Sequence, residues 1–208
     1  MIQSTLSFTT KVVTEPIILN KDKFIIVSGS QCGVDHGSHL AARELGIEIG
    51  GYAPQGYWTE KGANLELKTW GLKDYPTRGY DARDKANVDL CDIVIAFRLN
   101  IPKTGRGTCK TYNYAFKGKY EDSVRPSFSD AKNGVFEMRN VENIKSKPVL
   151  ILWDPMTHSA QYVATIKEFL HRNTVTGKKI NVLFSGPCES TQPGIENCIK
   201  TILIACFK

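Results

Sequence analysis

The sequence predicts an α/β protein with an open parallel sheet and helices on both faces, and two observations lead to this prediction. Short apolar stretches without polar alternation, such as Phe24–Val27, alternate along the chain with longer amphipathic stretches. This pattern is typical of a parallel sheet that is covered on both faces. Three apolar stretches also run directly into a glycine-rich turn that is followed by a helix pattern. Together the three copies indicate the fold better than any one glycine-rich turn would.

The individual elements follow from local patterns in chain order. The first strand, Phe24–Val27, precedes a helix over about Val34–Leu45, and Gly46 is a natural stop for that helix. Asp81 is predicted to cap the start of a later helix. The other predicted strands are Ile47–Gly51, Leu72–Tyr75, Asp92–Phe97, Val149–Trp153 and Ile180–Phe184. The other predicted helices are Tyr80–Leu90, Thr108–Lys117, Ser159–Arg172 and Pro193–Phe207.

The domain organisation is predicted to be simple. We expect residues 23–208 to form one ligand-binding domain, and residues 1–22 to form an extended N-terminal arm. Gly118–Lys147 is charged, rich in turn-forming residues and without a clear period. We interpret it as an inserted loop, with Asn133-Gly134 as the turn of a hairpin. Long loops inside compact domains are usually lids, contact surfaces or disordered segments.

Composition narrows the classes of partner and compartment. The net charge of +6 suits an anionic ligand but lacks the lysine-rich character of a dedicated nucleic-acid binder. No apolar run reaches the roughly 18 residues that suggest a membrane span, and Met1–Val13 is polar. We therefore expect a cytoplasmic protein without a membrane or nucleic-acid partner. The six cysteines form no C-x-x-C pair, so a structural zinc site is not expected.

Three glycine-rich turns follow predicted strands. The first turn is Ser28–Gly33, the second turn is Gly105–Thr108 and the third turn is Ser185–Pro187. Because the carboxyl ends of parallel strands share one edge of a sheet, the three turns can line one crevice. Backbone N–H groups at the start of a helix attract anions, and Arg106 and the Thr108 hydroxyl add further donors. The sequence thus predicts a phosphate-binding crevice.

Two alternatives stay open for the polar residues near these turns. Gln31 and Asp35 offer directional hydrogen bonds to a ligand, or Asp35 simply caps its helix in a tight structural turn. Arg83 clamps a phosphate through its forked donors, or it belongs to a solvated helix face. The segment Ser28–Asp35 has neither the G-x-G-x-x-G fingerprint nor the lysine of a P-loop, which argues against hydride transfer and ordinary ATP hydrolysis.

The cysteine and histidine positions are less informative. Cys32, Cys109 and Cys188 each lie beside one of the three turns. If the turns converge, their thiols would suit a soft metal or a redox response. The alternative is three small residues at crowded positions, and no metal site is predicted. The four histidines show no ligand spacing, and we find no convincing nucleophile–base–acid set.

Several motifs occur between about Lys23 and Phe207. They are Val27–Asp35, Gly50–Gly56, Arg83–Val88 with Asp92, Gly105–Ala115 and Asn181–Gly194. In these motifs, and in their order and spacing apart from the insertion, the chain resembles the molybdenum carrier family, whose characterised members bind molybdenum cofactor. That family lies within a group of Rossmann-like nucleotide binders that includes the Lonely Guy phosphoribohydrolases and the DNA-processing protein of natural transformation. The resemblance implies a Rossmann-like sheet, a pocket for a phosphate-bearing ligand and a homo-oligomer.

The chain departs from the family pattern at four positions. Cys32 replaces Thr, Gln55 replaces Lys, Tyr57 replaces Arg and Cys188 replaces Arg. Three of these changes are expected to remove positive or hydroxyl donors from the pocket. The phosphoribohydrolases also carry a glutamate pair where this chain has Lys110-Thr111. Binding is therefore favoured over hydrolysis, and no catalytic residue is predicted.

We expect a binding or carrier protein for a phosphate-bearing small molecule, with molybdenum cofactor or a related pterin or nucleotide as its ligand. Tyr52 or Trp58 could stack on the ring. One alternative is a nucleotide hydrolase with Asp35 or Glu189 as general base, and another is a sensor or sponge for a nucleotide signal with the insertion as its lid. The predicted ligand-binding residues are Gly29, Ser30, Gln31, Gly33, Asp35, Arg83, Gly105, Arg106, Gly107, Thr108, Ser185, Gly186, Glu189 and Ser190.

Overall fold

The computed structural model describes residues 16–101, 105–140 and 146–208. Its ten strands in these ranges are β1 Phe24–Val27, β2 Glu48–Gly50, β3 Tyr52–Ala53, β4 Trp58–Thr59, β5 Gly62–Ala63, β6 Lys73–Asp74, β7 Ile93–Arg98, β8 Val135–Met138, β9 Val149–Trp153 and β10 Ile180–Ser185. The α-helices described are α1 Val34–Leu45, α2 Glu66–Thr69, α3 Tyr80–Leu90, α4 Arg106–Lys117, α5 Pro155–Arg172 and α6 Ile195–Phe207. Short 3-10 turns are found at Lys21–Lys23, Gln55–Tyr57 and Phe128–Asp130. None of the helices in the described ranges is long and apolar enough to cross a membrane.

The core of the fold is a six-stranded sheet with the order β2-β1-β10-β7-β9-β8. All of its neighbouring strands are parallel except β8, which runs antiparallel to β9 at one edge. The predicted parallel sheet is confirmed. The predicted strand at Leu72–Tyr75 is present only as β6, and it pairs with β3 in a separate two-stranded sheet.

Helices cover both faces of the sheet, as predicted. Successive residues of β7 enter different apolar clusters: Ile93, Ile95 and Phe97 pack in one, and Val94 and Ala96 in the other. The first cluster includes residues of α1, α5 and α6, and the second includes residues of α3 and α4. Because both faces are buried, the strand needs no polar positions, which explains its continuous apolar sequence.

The insertion contributes structure of its own. Asn133 and Gly134 both have positive φ, 54° and 74°, as the predicted two-residue turn requires. Backbone hydrogen bonds of 3.1 Å run in both directions between Lys132 and Val135 and close this turn. The turn leads into β8, which pairs with β9 instead of forming a hairpin within the insertion. The expected N-terminal arm lies largely outside the described residues, which include only 16–22 of it.

Several predicted helix starts were wrong. Asp81 does not cap α3: the N-cap residue is Gly79, and the Asp81 carboxylate instead accepts a hydrogen bond from Lys110 Nζ at 3.1 Å. Helix α5 has one additional turn from Pro155, where proline suits the first helical position. His158 then has non-helical φ and ψ of −117° and 20°, so the regular part of α5 begins at Ser159 as predicted. Helices α4 and α6 begin two residues from their predicted starts, with glycine at the N-cap of each.

The first turn and the segment after the third turn are in direct backbone contact. Strands β1 and β10 are neighbours, so both turns leave the same edge of the sheet. The Val34 N–H donates to the carbonyl oxygen of Pro187 at 3.1 Å, and the Glu189 N–H donates to that of Cys32 at 3.3 Å. Gly33 has a φ of +102°, and a Cβ there would lie 2.5 Å from the Pro187 oxygen. Only glycine fits this contact without a backbone shift.

We predict that Gly33→Ala destabilises the protein far more than Gly177→Ala. Both glycines have positive φ, but a Cβ on Gly177 would meet no atom within 4 Å. The control variant should lose about 1 kcal/mol from backbone strain alone. The Gly33 variant should lose at least about 2 kcal/mol more, because backbone atoms must also move. Urea unfolding measures the free energy of unfolding of both variants. Equal losses of stability would contradict the tight contact between the turns.

Candidate functional site

The three turns border one cavity of about 1000 Å³ at the carboxyl edge of the sheet. This volume lies at the upper end of the range for small-molecule sites. Most of the predicted ligand-binding residues contribute to its wall. These residues are Gln31, Asp35, Arg83, Gly105, Arg106, Gly107, Thr108, Ser185 and Gly186. The structure therefore brings together residues from three distant parts of the chain, as the shared edge of a parallel sheet requires.

Other predicted residues of the first turn lie behind the cavity wall and have partners within the protein. Ser30 is fully buried, and its hydroxyl is hydrogen-bonded to Nδ1 of His39 at 2.8 Å. Burial lowers the pKa of His39 to about 3, so this imidazole is neutral. The Gly33 N–H donates to the Glu196 carboxylate at 3.2 Å. These polar groups hold the turn in shape and are not directed toward a ligand.

The predicted residues that follow the third turn are also engaged elsewhere. The carboxylate of Glu189 accepts hydrogen bonds from the backbone N–H groups of Gly194 at 2.6 Å and Glu196 at 2.9 Å. It thus satisfies donors at the start of α6, where a negative charge is favoured. The Ser190 hydroxyl donates to Glu60 at 2.6 Å. Neither residue borders the main cavity, so their predicted contact with a ligand in that cavity is not supported.

Arg83 is the most distinctive residue of the cavity wall. Its side chain is 4% exposed, and Nη1 lies 2.9 Å from Asp84 Oδ1 and 3.8 Å from Asp35 Oδ2. Its Nε is buried and has no hydrogen-bond partner in the part of the chain that the structure describes. A Cβ on Gly29 would lie 1.2 Å from Nη1, so glycine allows the guanidinium to lie against the first turn. Arg83 is therefore not the solvated helix residue that the alternative interpretation required.

Two carboxyl groups beside Arg83 have unusual proton affinities. Burial raises the pKa of Asp35 to about 6, although the positive charge of Arg83 acts in the opposite direction. Burial also raises the pKa of Asp84, against the opposing charge of Arg83 and a hydrogen bond from Tyr120. Asp35 does not cap α1, whose N-cap residue is Gly33. The site thus holds a buried cation between two carboxyl groups whose proton affinity is higher than usual.

The second turn provides an open helix start. Gly105 is the N-cap residue of α4 with a φ of 71°, and a Cβ on Gly105 or Gly107 would meet no atom of the described residues within 4 Å. The first N–H groups of a helix lack partners within that helix, and here they lie at the cavity. Arg106 has no ion-pair partner among the described residues. This end of the cavity can therefore accept an anion.

The aromatic residue in the cavity wall is Tyr80, not the pair expected to stack on a ligand. Tyr80 is 49% exposed, and the Arg83 guanidinium carbon lies 5.7 Å from the centre of its ring. Tyr52 packs edge-to-face on Tyr75 with ring centres 5.5 Å apart. Neither Tyr52 nor Trp58 borders this cavity. The structure therefore does not support their predicted stacking role there.

Only two of the four departures from the family pattern affect the cavity. Cys32 and Cys188 contribute to its wall, whereas Gln55 and Tyr57 do not. Tyr57 packs in a small apolar cluster that includes Leu67. The structure therefore does not support the expectation that three donors are lost from this cavity, since two of the changed side chains are absent from its wall.

The three thiols do not converge. Cys109 is fully buried and accepts a hydrogen bond from the Tyr112 hydroxyl at 3.1 Å, so it is absent from the cavity wall. In residues 16–101, 105–140 and 146–208, no group of three or more His, Cys, Asp or Glu side chains could hold a metal ion. The soft-metal alternative therefore has no structural support, and Cys109 behaves as a small core residue.

Sequence reasoning missed several charged residues of the wall. Lys110 and Asp81 form an ion pair of 3.1 Å, and Asp84 accepts a hydrogen bond from Tyr120 at 2.8 Å. One available signal was helix spacing, because Tyr80 and Asp84 are four residues apart on α3 and share a face. Others had no local signal, since they reach the cavity through the folding of the insertion. The missed residues are Tyr80, Asp81, Asp84, Lys110, Asp122, Arg125 and Thr191.

Comparison with known proteins agrees with the motif resemblance. Residues 26–124 match the model of the circularly permutated YpsA SLOG family. The fold is similar to the crystal structure of a "Putative molybdenum carrier protein" from Syntrophus aciditrophicus SB, with a TM-score of 0.63 and 21% identity over 89% of this chain and 95% of that chain. No curated protein has a matching sequence. The resemblance inferred from the motifs and the Rossmann-like fold are thus confirmed.

We predict that Asp35→Asn changes how stability depends on pH. The pKa of Asp35 is about 6 in the folded protein and near 3.9 in an unfolded chain, so the folded state binds the proton more tightly. Asp35 therefore destabilises the fold above pH 6, and this penalty disappears as pH falls toward 4. The variant should exceed the natural protein in free energy of unfolding by on the order of 2 kcal/mol at pH 8, with little difference at pH 4.

Urea unfolding from pH 4 to 8 measures this difference. Asp130→Asn is the matched control, because hydrogen bonds from Ser127 lower the pKa of Asp130. Its variant should lose stability relative to the natural protein at high pH, which is the opposite sign. A pH-independent difference for Asp35→Asn would show that the carboxyl group is ionised equally in both states.

Proposed function

We propose that this protein binds a phosphate-bearing small molecule with a flat nitrogen heterocycle, in the class of pterins and nucleotides. The observation that carries the proposal is the shared cavity itself, in which an almost fully buried Arg83 lies beside the open start of α4. Molybdenum cofactor is the first candidate ligand, because the similar crystal structure is named a molybdenum carrier protein. Assembly into a homo-oligomer remains a prediction from the family resemblance.

The phosphate group would bind at the start of α4. Unpaired backbone N–H groups and the positive end of the helix dipole favour an anion there. Arg106 adds a forked donor, which suits phosphate geometry better than a point charge does. Thr108 lies in the same wall and offers a hydroxyl group. These groups come from one short segment, so they can bind a phosphate without a large rearrangement of the chain.

The heterocycle would bind near Arg83. Tyr80 offers an aromatic face, and Asp35 and Asp84 offer carboxylate acceptors in the same wall. A 2-amino-4-oxo ring, as in pterins and guanine, presents neighbouring N–H donors that match a carboxylate. Burying carboxylates beside a phosphate site would be unfavourable if the ligand were only an anion. A ligand with an anionic end and a donor-rich ring accounts for both kinds of side chain.

A second candidate function is hydrolysis of a nucleotide, and one observation favours it. Asp35 lies in the cavity wall with a pKa of about 6, which suits a general base near neutral pH. Glu189, the other candidate base, is engaged at the start of α6. Release of free base from nucleoside monophosphates, lost in Asp35→Asn, would identify this activity. Binding without turnover would leave the carrier proposal as the better account.

The ligand can be sought directly in protein that has been freshly purified. Native mass spectrometry with elemental analysis for molybdenum should show a bound species whose mass contains a phosphate. A pterin with molybdenum would identify the cofactor, and a nucleotide mass would favour a nucleotide carrier or sensor. A bound molecule without any anionic group would contradict the proposal.

We predict that Arg106→Ala weakens binding of guanosine monophosphate at least tenfold. The expected loss corresponds to one charge-assisted hydrogen bond, about 1.5–3 kcal/mol. Isothermal titration calorimetry measures the affinity, and guanosine without phosphate should bind the variant and the natural protein alike. Arg139→Ala is the matched control, because Arg139 pairs with Glu137 outside the cavity. Equal affinity of both variants for the nucleotide would remove Arg106 from the site.

A further inference from the structure

Part of the insertion is fixed against the cavity by hydrogen bonds to two helices and a strand. The hydroxyl group of Tyr120 donates to Asp84 on α3. The carbonyl oxygen of Val124 accepts from the Tyr112 hydroxyl at 3.1 Å and from Asn113 Nδ2 at 3.0 Å, both on α4. The Pro126 carbonyl oxygen accepts a hydrogen bond of 2.9 Å from Nη1 of Arg98, the last residue of β7. Residues 119–126, here called the strap, are therefore held in place.

The strap places one acid and one base in the cavity wall. Asp122 and Arg125 lie between the anchoring bonds, and both border the cavity. The Nε and Nη2 atoms of Arg125 each bind one oxygen of the Asp122 carboxylate. This forked arrangement is the one that arginine also uses to bind phosphate. The Asp122 carboxylate thus has the partner that a phosphate group of a ligand would need.

Three guanidinium groups act on the Asp122 carboxylate. The pKa of Asp122 is lowered first by the hydrogen bonds from Arg125 and then by the charges of Arg125, Arg106 and Arg98. One carboxylate therefore lies within the field of three guanidinium groups, close to the open start of α4. A single negative charge compensates these groups only in part, whereas a dianion would compensate them better.

We propose that the strap completes the anion site, so that Arg125 and Arg106 together bind a doubly charged phosphate group that displaces the carboxylate of Asp122. This inference rests on the proposed function and deepens it, because it specifies the ligand class as a terminal phosphate monoester or a diphosphate. Asp122 is then an internal competitor that excludes weakly charged molecules. A ligand must bind Arg125 more strongly than the Asp122 carboxylate does.

A purely structural role is the competing explanation. Asp122 and Arg125 are partly exposed, with 24% and 35% of their side-chain surface accessible, and surface ion pairs contribute little to stability. In that case the pair would only shape the strap, and its removal would not change the affinity for an anion. The two explanations therefore differ in binding, not in stability.

The test measures inorganic pyrophosphate and guanosine monophosphate binding by isothermal titration calorimetry. Asp122→Asn should tighten both about tenfold, since the competing charge is removed. Arg125→Gln should weaken both about tenfold, and Arg125→Lys, which keeps the charge but loses the fork, should lie between. Glu121→Gln is the matched control: its carboxylate pairs with Lys117 and does not border the cavity, so it should shift affinity less than twofold.

The affinities of the variants decide whether the strap completes the anion site. The inference is overturned if Asp122→Asn changes the affinity as little as Glu121→Gln does, or if Arg125→Gln leaves the affinity unchanged. If Arg106→Ala still loses binding in that case, the proposed function stands without the strap. If the natural protein binds neither probe, and Asp122→Asn does not restore binding, the inference fails, and native mass spectrometry of the purified protein decides the proposed function separately. Thermal unfolding of each variant verifies that the fold is intact.

Discussion

The structure depends on a backbone contact between residues 32–34 and residues 187–189, which are far apart in sequence. The Val34 N–H reaches the Pro187 carbonyl, and the Glu189 N–H reaches that of Cys32. This contact is possible because β1 and β10 are parallel neighbours and because residue 33 is glycine. It holds the start of α1 against the segment that leads to α6, and so it forms part of the cavity wall.

Arg83 connects this scaffold to the chemistry of the site. Burying a guanidinium group is unfavourable unless charges and hydrogen bonds compensate it. Asp84 and Asp35 supply part of that compensation, and the absence of a side chain on Gly29 supplies the space. The result is a cavity with one mixed-charge end near Arg83 and one positive end near α4. That difference is the physical basis for proposing a ligand with a donor-rich ring and a phosphate.

Local chemistry predicted much of the fold and part of the site. Helices α1 and α3 were predicted to the residue, because glycine and the apolar period mark their limits, and the three turns were predicted to share one crevice. The pairing of β8 with β9 was missed, because it depends on residues that are distant in sequence. Ser30 and Glu189 were assigned to the ligand, but His39 and the start of α6 take up their polar groups. Arg125 was missed, since only the folded insertion brings it to the cavity.

One anion site is expected where α4 begins at the shared cavity. Titration of isotope-labelled protein with inorganic pyrophosphate, followed through the backbone amide resonances by NMR, would locate it. We expect saturable shifts of the amides of Arg106, Gly107 and Thr108, with smaller shifts in the first and third turns. Saturable shifts confined to another surface, such as the pocket around Trp70 and Arg43, would contradict it.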